Sequence, residues 1–262
     1  MKINIKDTRD ITKLLEEQYH QICSSQEFIK SDPIQIPHMF SLKEDIEISG
    51  LLTSIISWGQ RKVFIKKAYL LMDIMDNAPY DFIMNASEND IQKFDKFIYR
   101  TMNSYDCMMI IRTIINIYRN FGGLENLFTN AWKQNYDIAD AIRAWHHSFD
   151  FLDCEPRVYR QIANVDKNSS AKKINMFLRW MVRKDNYNID FGIWKKIPSS
   201  ALLIPLDVHV GNVARKLGLI TRKQNNFKSV LELTSKLRLM DINDPIKYDF
   251  ALFGVEALNL QQ

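Results

Sequence analysis

Glycine and proline are scarce in this chain, eight and seven residues in 262. Few positions can break a helix or supply the left-handed turns that hairpins need. Strand-type alternation is also rare, which argues against an all-β sandwich or barrel. The three cysteines, Cys23, Cys107 and Cys154, stand far apart. An odd, scattered set excludes a disulfide framework and is too small for a four-cysteine iron–sulfur cluster. The histidines are His20, His38, His146, His147 and His209. None pairs with another histidine or a cysteine at metal-ligand spacing, apart from adjacent His146 and His147, which would point to different faces of a helix. No metal and no cofactor are expected. No apolar run approaches the ~18 residues that cross a bilayer. The N-terminus, "MKINIKDTRDITKLLEEQYH", has neither the apolar centre nor the small-residue cleavage site of a secretory signal. A cytoplasmic protein with no membrane partner is expected.

The remaining composition is that of an ordinary globular chain, 46% hydrophobic and 25% charged. A net charge of +4 and a pI near 8.8 permit an anionic partner without demanding one. Long segments repeat their apolar residues at helical period. "EDIEISGLLTSIISWGQ" sets Ile46, Ile48, Leu51, Leu52, Ile55 and Ile56 on one broad stripe, as a central helix would. "RKVFIKKAYLLMDIMD" follows as a second helix after a break near Gly59. "YDCMMIIRTIINIYRNF" is a third, closed by Gly122 and Gly123 in the manner of a C-cap. "NYDIADAIRAWHHSFDFL", "SSAKKINMFLRWMVRK", "DVHVGNVARKLGL", "FKSVLELTSKLRLM" and "DPIKYDFALFGVEAL" complete the helical series, with one or two more helices in residues 1–30. The expected fold is all-α, many helices joined by tight turns. The expected organisation is a single unit over 1–262. In it, about 1–44 and 225–262 form one lobe from the terminal helices, and about 45–224 form a helical core. Residues 31–40 and 185–206 read as irregular.

Two stretches carry residues suited to chemistry. In "NSSAKKINMFLRWMVRK", Ser169 or Ser170 is a natural N-cap. Lys172 and Lys173 then fall in the first helical turn, where the dipole and each other's charge disfavour the ammonium form. A lysine amine needs its lone pair to act as a nucleophile. The same helix start can equally hold a phosphate, through Ser169, Ser170 and Lys173, or be a solvated basic turn. In "IPLDVHVGNVARKLGL", Asp207 precedes a helix and suits a capping role. His209 follows two positions later.

Read together, these stretches resemble the helix-hairpin-helix superfamily of DNA glycosylases. In that superfamily a hairpin leads into a helix with a pattern like Lys-x-Ala-Asn. A segment like Val-Asp-Thr-His-x-x-Arg-Val-Ala-x-Arg-Leu-Gly follows. "KKIN" is similar to the first with Lys172 in the nucleophile's place, and "LDVHVGNVARKLGL" to the second with Asp207 as the aspartate. Val213, Ala214, Arg215, Leu217 and Gly218 match the helix that follows. The nearest likeness is to the compact 8-oxoguanine glycosylases of archaea and thermophilic bacteria. They carry a pattern like Lys-Glu-Ala-Ser-His-Phe-Leu-Arg, and here Phe177, Leu178 and Arg179 stand at the same offset from Lys172. Upstream, "LLTSIISWGQRKVFIKKA" resembles the superfamily's early helix pair, and "DPIKYDFALFGVEAL" its last helix. The likeness spans roughly 45–262. The whole chain also resembles an uncharacterised bacterial family of similar length.

Several features depart from the pattern. "VDKNSSAKK" stands where a glycine-rich hairpin is usual. The early-helix glutamine falls at Gly59, with Gln60 one place later. "RKDNYNIDFGIWKKIPSSALL" reads as an insertion between the two motif helices, open to being a lid, a DNA-contact loop or plain packing.

The resemblance implies two helical lobes with a cleft between them, and double-stranded DNA carrying a damaged base as the partner of a monomer. The damaged nucleotide would be extruded, because its sugar and base are out of reach inside the stack. Lys172 would attack C1′ and form a Schiff base. Asp207 would stabilise the developing positive charge and help take protons. The implied activity is excision of an oxidised purine with strand cleavage at the resulting abasic site. Trp58, Gln60, Phe177, Trp180, His209 and Phe253 would contact the substrate, with Phe191 and Trp194 as further stacking candidates. Ser169, Ser170, Lys173 and Arg215 would contact phosphates, with Arg61, Lys62, Lys66, Lys67 and Lys216 as further candidates. For each aromatic residue core packing is the competing reading, and for the cations a solvated face. The alternative function is a nucleic-acid-binding module on the same scaffold without chemistry.

Overall fold

The computed structural model describes residues 8–25 and 27–259. Among them there are thirteen α-helices and no strand; the only β-type pairings are isolated bridges, Tyr99 with Met102 and Lys184 with Phe191. The all-α expectation therefore holds. No helix is long and apolar enough to cross a membrane.

The chain divides into two compact units, Ser31–Asn164 and the combination of Met1–Lys30 with Val165–Gln262. This corrects the expected boundaries near 44 and 225. The Lys172 and Asp207 stretches fold with the terminal helices, not with the central ones. The reason lies in buried charge at residues 179–190, described below, which the apolar periodicity does not record.

The Ser31–Asn164 unit contains α3 (Lys43–Ile56), α4 (Arg61–Ile74), α5 (Pro79–Asn85), α6 (Glu88–Ile91), α7 (Ser104–Phe121), α8 (Leu124–Asn135) and α9 (Ile138–His147), numbered after α1 (Thr8–Cys23) and α2 (Glu27–Ser31). The whole apolar stripe of α3 is buried, as its pattern requires. Glu47, also on α3, is buried, where it accepts from Tyr118 Oη at 2.6 Å and pairs with Lys43 at 2.8 Å. Both partners are necessary, since an unpaired buried carboxylate would be strongly disfavoured. α7 begins with a reciprocal capping box of Asn103 and Asp106, and Arg157 adds two bonds to the Asp106 carboxylate. It ends at Gly122 in the left-handed conformation, as the sequence pattern implies. Helices α5, α6 and α8 are not legible from apolar period alone.

The other unit contains α1, α10 (Lys172–Val182), α11 (Val208–Lys216), α12 (Phe227–Met240) and α13 (Tyr248–Asn259). α13 packs against both α1 and α11. At the C-terminal end of α10, Arg183 is only 1% exposed. Its guanidinium donates to Asp244 at 2.9 and 3.0 Å, to Asp190 at 2.8 Å, to Asp185 at 3.4 Å and to Tyr19 Oη of α1 at 2.7 Å. Burial alone would expel a charge from this place. The surrounding carboxylates reverse that and hold Arg183 protonated more firmly than in water. Asp185 in turn accepts from the backbone N–H groups of Tyr187, Ile189 and Asp190. Phe191 and Gly192 donate to Trp180 O, and Trp194 donates to Met181 O, so this loop also satisfies carbonyls at the end of α10. The segment after α10 is thus hydrogen-bonded, packed structure through Trp194.

Removing one member of a buried ion network strands its partners. Arg183→Met is expected to cost about 4 kcal/mol of folding free energy, measurable as a fall in the urea midpoint. Arg222→Met, on an exposed side chain, should change stability by less than about 1 kcal/mol.

Candidate active site

Three helix starts supply the charged groups of the site. α10 opens with Lys172 and Lys173, as expected, but neither Ser169 nor Ser170 is its N-cap. That position is Ala171, with φ +50 and no side-chain cap. Ser169 Oγ instead accepts from Ala171 N at 3.3 Å, one step before the helix. Asn168, also at positive φ, accepts from Phe227 N and Lys228 N at the start of α12. Two non-glycine residues thus hold left-handed backbone in this turn, which is fastened by the Asn168 bonds to α12.

Asp207 is the N-cap of α11, accepting from Val210 N at 2.9 Å. Its backbone carbonyl accepts from Asn225 Nδ2 at 3.0 Å. Arg215 holds that asparagine at 2.5 Å and donates to Arg222 O at 2.7 Å. Arg215 thus braces the 222–225 loop behind Asp207. His209 is exposed on the first turn of α11, and Phe253 is partly exposed on α13.

The third start is that of α13, where Asp249 lies in the first turn with its side chain 13% exposed. Arg179, two turns along α10 from Lys172, pairs with it. The same guanidinium also donates to Asp190 at 3.3 Å and lies 4.2 Å from the Phe250 ring centroid. Burial pushes the Asp249 carboxyl up to about 6. The Arg179 charge opposes that shift, the Asp207 carboxylate adds to it, and the Lys172 ammonium opposes it. Lys172 at the start of α10 and Asp207 at the start of α11 therefore each lie within electrostatic reach of Asp249 at the start of α13. Burial, followed by the charge of Lys172, pushes the Lys173 amine down to about 8.

The expected aromatic contacts fare unevenly. Phe177 and Trp180 are both 0% exposed, sealed in the core of their unit. Phe177 meets Trp194 edge-on, centroids 5.4 Å apart. This corrects the expectation that either offers a face to a base, because helical period places them on the apolar side of α10. Phe191 is half-buried in the loop after α10. Trp58 and Gln60 belong to the Ser31–Asn164 unit. Gln60 is exposed as the N-cap of α4, without a side-chain cap bond. Trp58 carries the Arg100 guanidinium 4.4 Å from its ring centroid, and Tyr99 Oη donates to its carbonyl. Gly59, at φ +87, permits that close approach, since a Cβ there would lie 2.7 Å from Arg100 Nη1. Asp249, Asp190 and Arg183 escaped sequence reasoning. Arg179 stood inside a quoted motif, but nothing in its spacing revealed two carboxylate partners. Among the described residues, no group of three or more histidine, cysteine or acidic side chains is arranged to hold a metal ion.

The chain belongs to the family described as "Protein of unknown function (DUF2400)", whose model matches residues 32–258. No curated protein and no solved structure matches it.

A left-handed alanine carries a steric cost of about 1–2 kcal/mol that glycine avoids. Ala171→Gly is therefore expected to stabilise the protein by about 1 kcal/mol, seen as a raised thermal midpoint.

Proposed function

We propose that the protein is a base-excision DNA glycosylase with lyase activity at abasic sites, acting on an oxidised purine of the 8-oxoguanine kind in duplex DNA. The carrying observation is that Lys172 and Asp207, singled out by their motif resemblance, stand at the starts of two helices of the same unit, α10 and α11, the second packed against α13. In this reading the Lys172 amine bonds to C1′ of the extruded nucleotide as the glycosidic bond breaks. The base leaves with its bonding electrons and takes up a proton. The aminal then opens to a Schiff base, and loss of a C2′ proton expels the 3′ phosphate. Asp207, held by the N-terminus of α11, places negative charge beside the sugar as positive charge develops. The proposed scaffold is glycosylase-like, with two helical lobes and a cleft for the duplex, working as a cytoplasmic monomer. Lys173 and the exposed cations Arg61 and Lys62 at the start of α4 are assigned to phosphate contacts.

Borohydride trapping on duplex DNA carrying an abasic site or 8-oxoguanine tests the reading. A covalent adduct is expected with the wild-type chain and with Lys173→Gln, and none with Lys172→Gln. An adduct lost only in Lys173→Gln would transfer the nucleophile's role to Lys173, whose amine burial pushes down to about 8. Salt-dependent DNA binding without any adduct would assign the chain instead to a nucleic-acid-binding module.

Asp207→Ser separates capping from chemistry, because serine caps a helix about as well as aspartate. Its unfolding midpoint should stay within about 0.5 kcal/mol of wild type. Excision should fall about a hundredfold or more.

A further inference from the structure

The site holds a second carboxyl that the motif comparison does not use. Asp249 is nearly enclosed at the start of α13, and its one ion-pair partner, Arg179, is shared with the fully enclosed Asp190 carboxylate. Asp190 is itself fixed by Arg183 and by the 185–190 turn. Arg179 also rests on Phe250 and is 4% exposed, so it has little freedom to favour one acid over the other. The charged groups facing Asp249 are Arg179 and Lys172 from α10, Asp190 from the following loop and Asp207 from α11. On α1, Glu16 is engaged elsewhere, accepting from Tyr248 and pairing with Lys247. We propose that Asp249 is the proton-transfer carboxyl of this site, and that Arg179, divided between Asp249 and Asp190, is the positioning residue that governs when Asp249 holds its proton.

This inference rests on the glycosylase and lyase reading and specifies how protons move within it. At an abasic site the Lys172 amine adds to the sugar aldehyde, forming a C–N bond and a carbinolamine. Protonated Asp249 donates to the carbinolamine hydroxyl. The C–O bond breaks, water leaves and the iminium forms, with Asp249 now a carboxylate. That carboxylate takes the C2′ proton, and the electron pair released expels the 3′ phosphate. Asp249 ends protonated, as it began. A carboxyl held halfway between acid and base near neutrality suits both transfers, whereas an ordinary surface aspartate favours only the second.

The test is the single-turnover rate of borohydride-trapped adduct on abasic duplex DNA between pH 5 and 8, for wild type, Asp249→Asn, Asp249→Glu and Asp190→Asn. Carboxyl 13C titration of the same folded proteins without DNA runs beside it, with Asp249 assigned by its absence in Asp249→Asn. The wild-type rate should fall above about pH 6 as Asp249 loses its proton. Asp249→Asn should lower the rate about a hundredfold and lack that inflection, and Asp249→Glu should restore most of it. Asp190→Asn removes a repelling charge and leaves Arg179 wholly to Asp249, so both the inflection and the carboxyl midpoint should move down by about one pH unit. An adduct whose rate and profile are unchanged in Asp249→Asn overturns the proton-transfer role alone. A carboxyl midpoint unmoved in Asp190→Asn overturns the control by Arg179. No adduct from folded wild-type protein at any pH overturns the glycosylase reading, and the proton-transfer role with it.

Discussion

Two guanidinium groups buried along one helix organise the unit that carries the site. Arg179 and Arg183 lie one turn apart on and just after α10, and neither reaches water. Charge of that kind is tolerated only where carboxylates and hydroxyls surround it. The acids come from every neighbouring part of the unit: Asp185 and Asp190 from the following loop, Asp244 from the approach to α13, Asp249 from α13 itself, and Tyr19 from α1. Apolar burial can be met by many arrangements, but this set of partners is met by few. The network therefore selects which elements gather around α10 more than it adds to stability.

One end of that network is structural and the other is chemical. At Arg183 the carboxylates outnumber the cation and the arrangement is closed. At Arg179 one cation serves two acids, and the second of them, Asp249, faces Lys172 and Asp207. The same burial that makes the network specific raises Asp249 towards neutrality. Each helix start directs backbone N–H dipoles at its first turn, which favours carboxylates there and disfavours ammonium groups. Asp207 gains from this as a cap, and Lys173 shows the opposite effect of confinement in its lowered amine.

The placements of several motif side chains share a cause. Phe177 and Trp180 lie inside a motif by their spacing, yet both are enclosed in the interior of their unit, and Arg215 spends its hydrogen bonds on Asn225 and Arg222. A motif fixes where a residue falls along a helix. Whether its side chain faces a substrate or the core depends on which side of that helix the neighbours cover, and the neighbours come from distant parts of the chain.

Helical period, glycine stops and the capping residue Asp207 made most of the all-α architecture legible, because they act within a few residues of each other. α5 and α6 escape the apolar period because they are short and begin at Pro79 and at the Ser87–Asp90 capping box. Lys172 and Asp207 were legible through their motifs. Asp249, Arg179 and Asp190 were not, since a buried ion pair depends on contact across a long stretch of chain and leaves no period behind. The sequence by itself determined the helices and two members of the site. Tertiary structure alone decided the unit boundaries, the burial that shifts Asp249, and the division of one arginine between two acids. Desolvation and Coulomb attraction act on distances through space, and those exist only once the chain has folded.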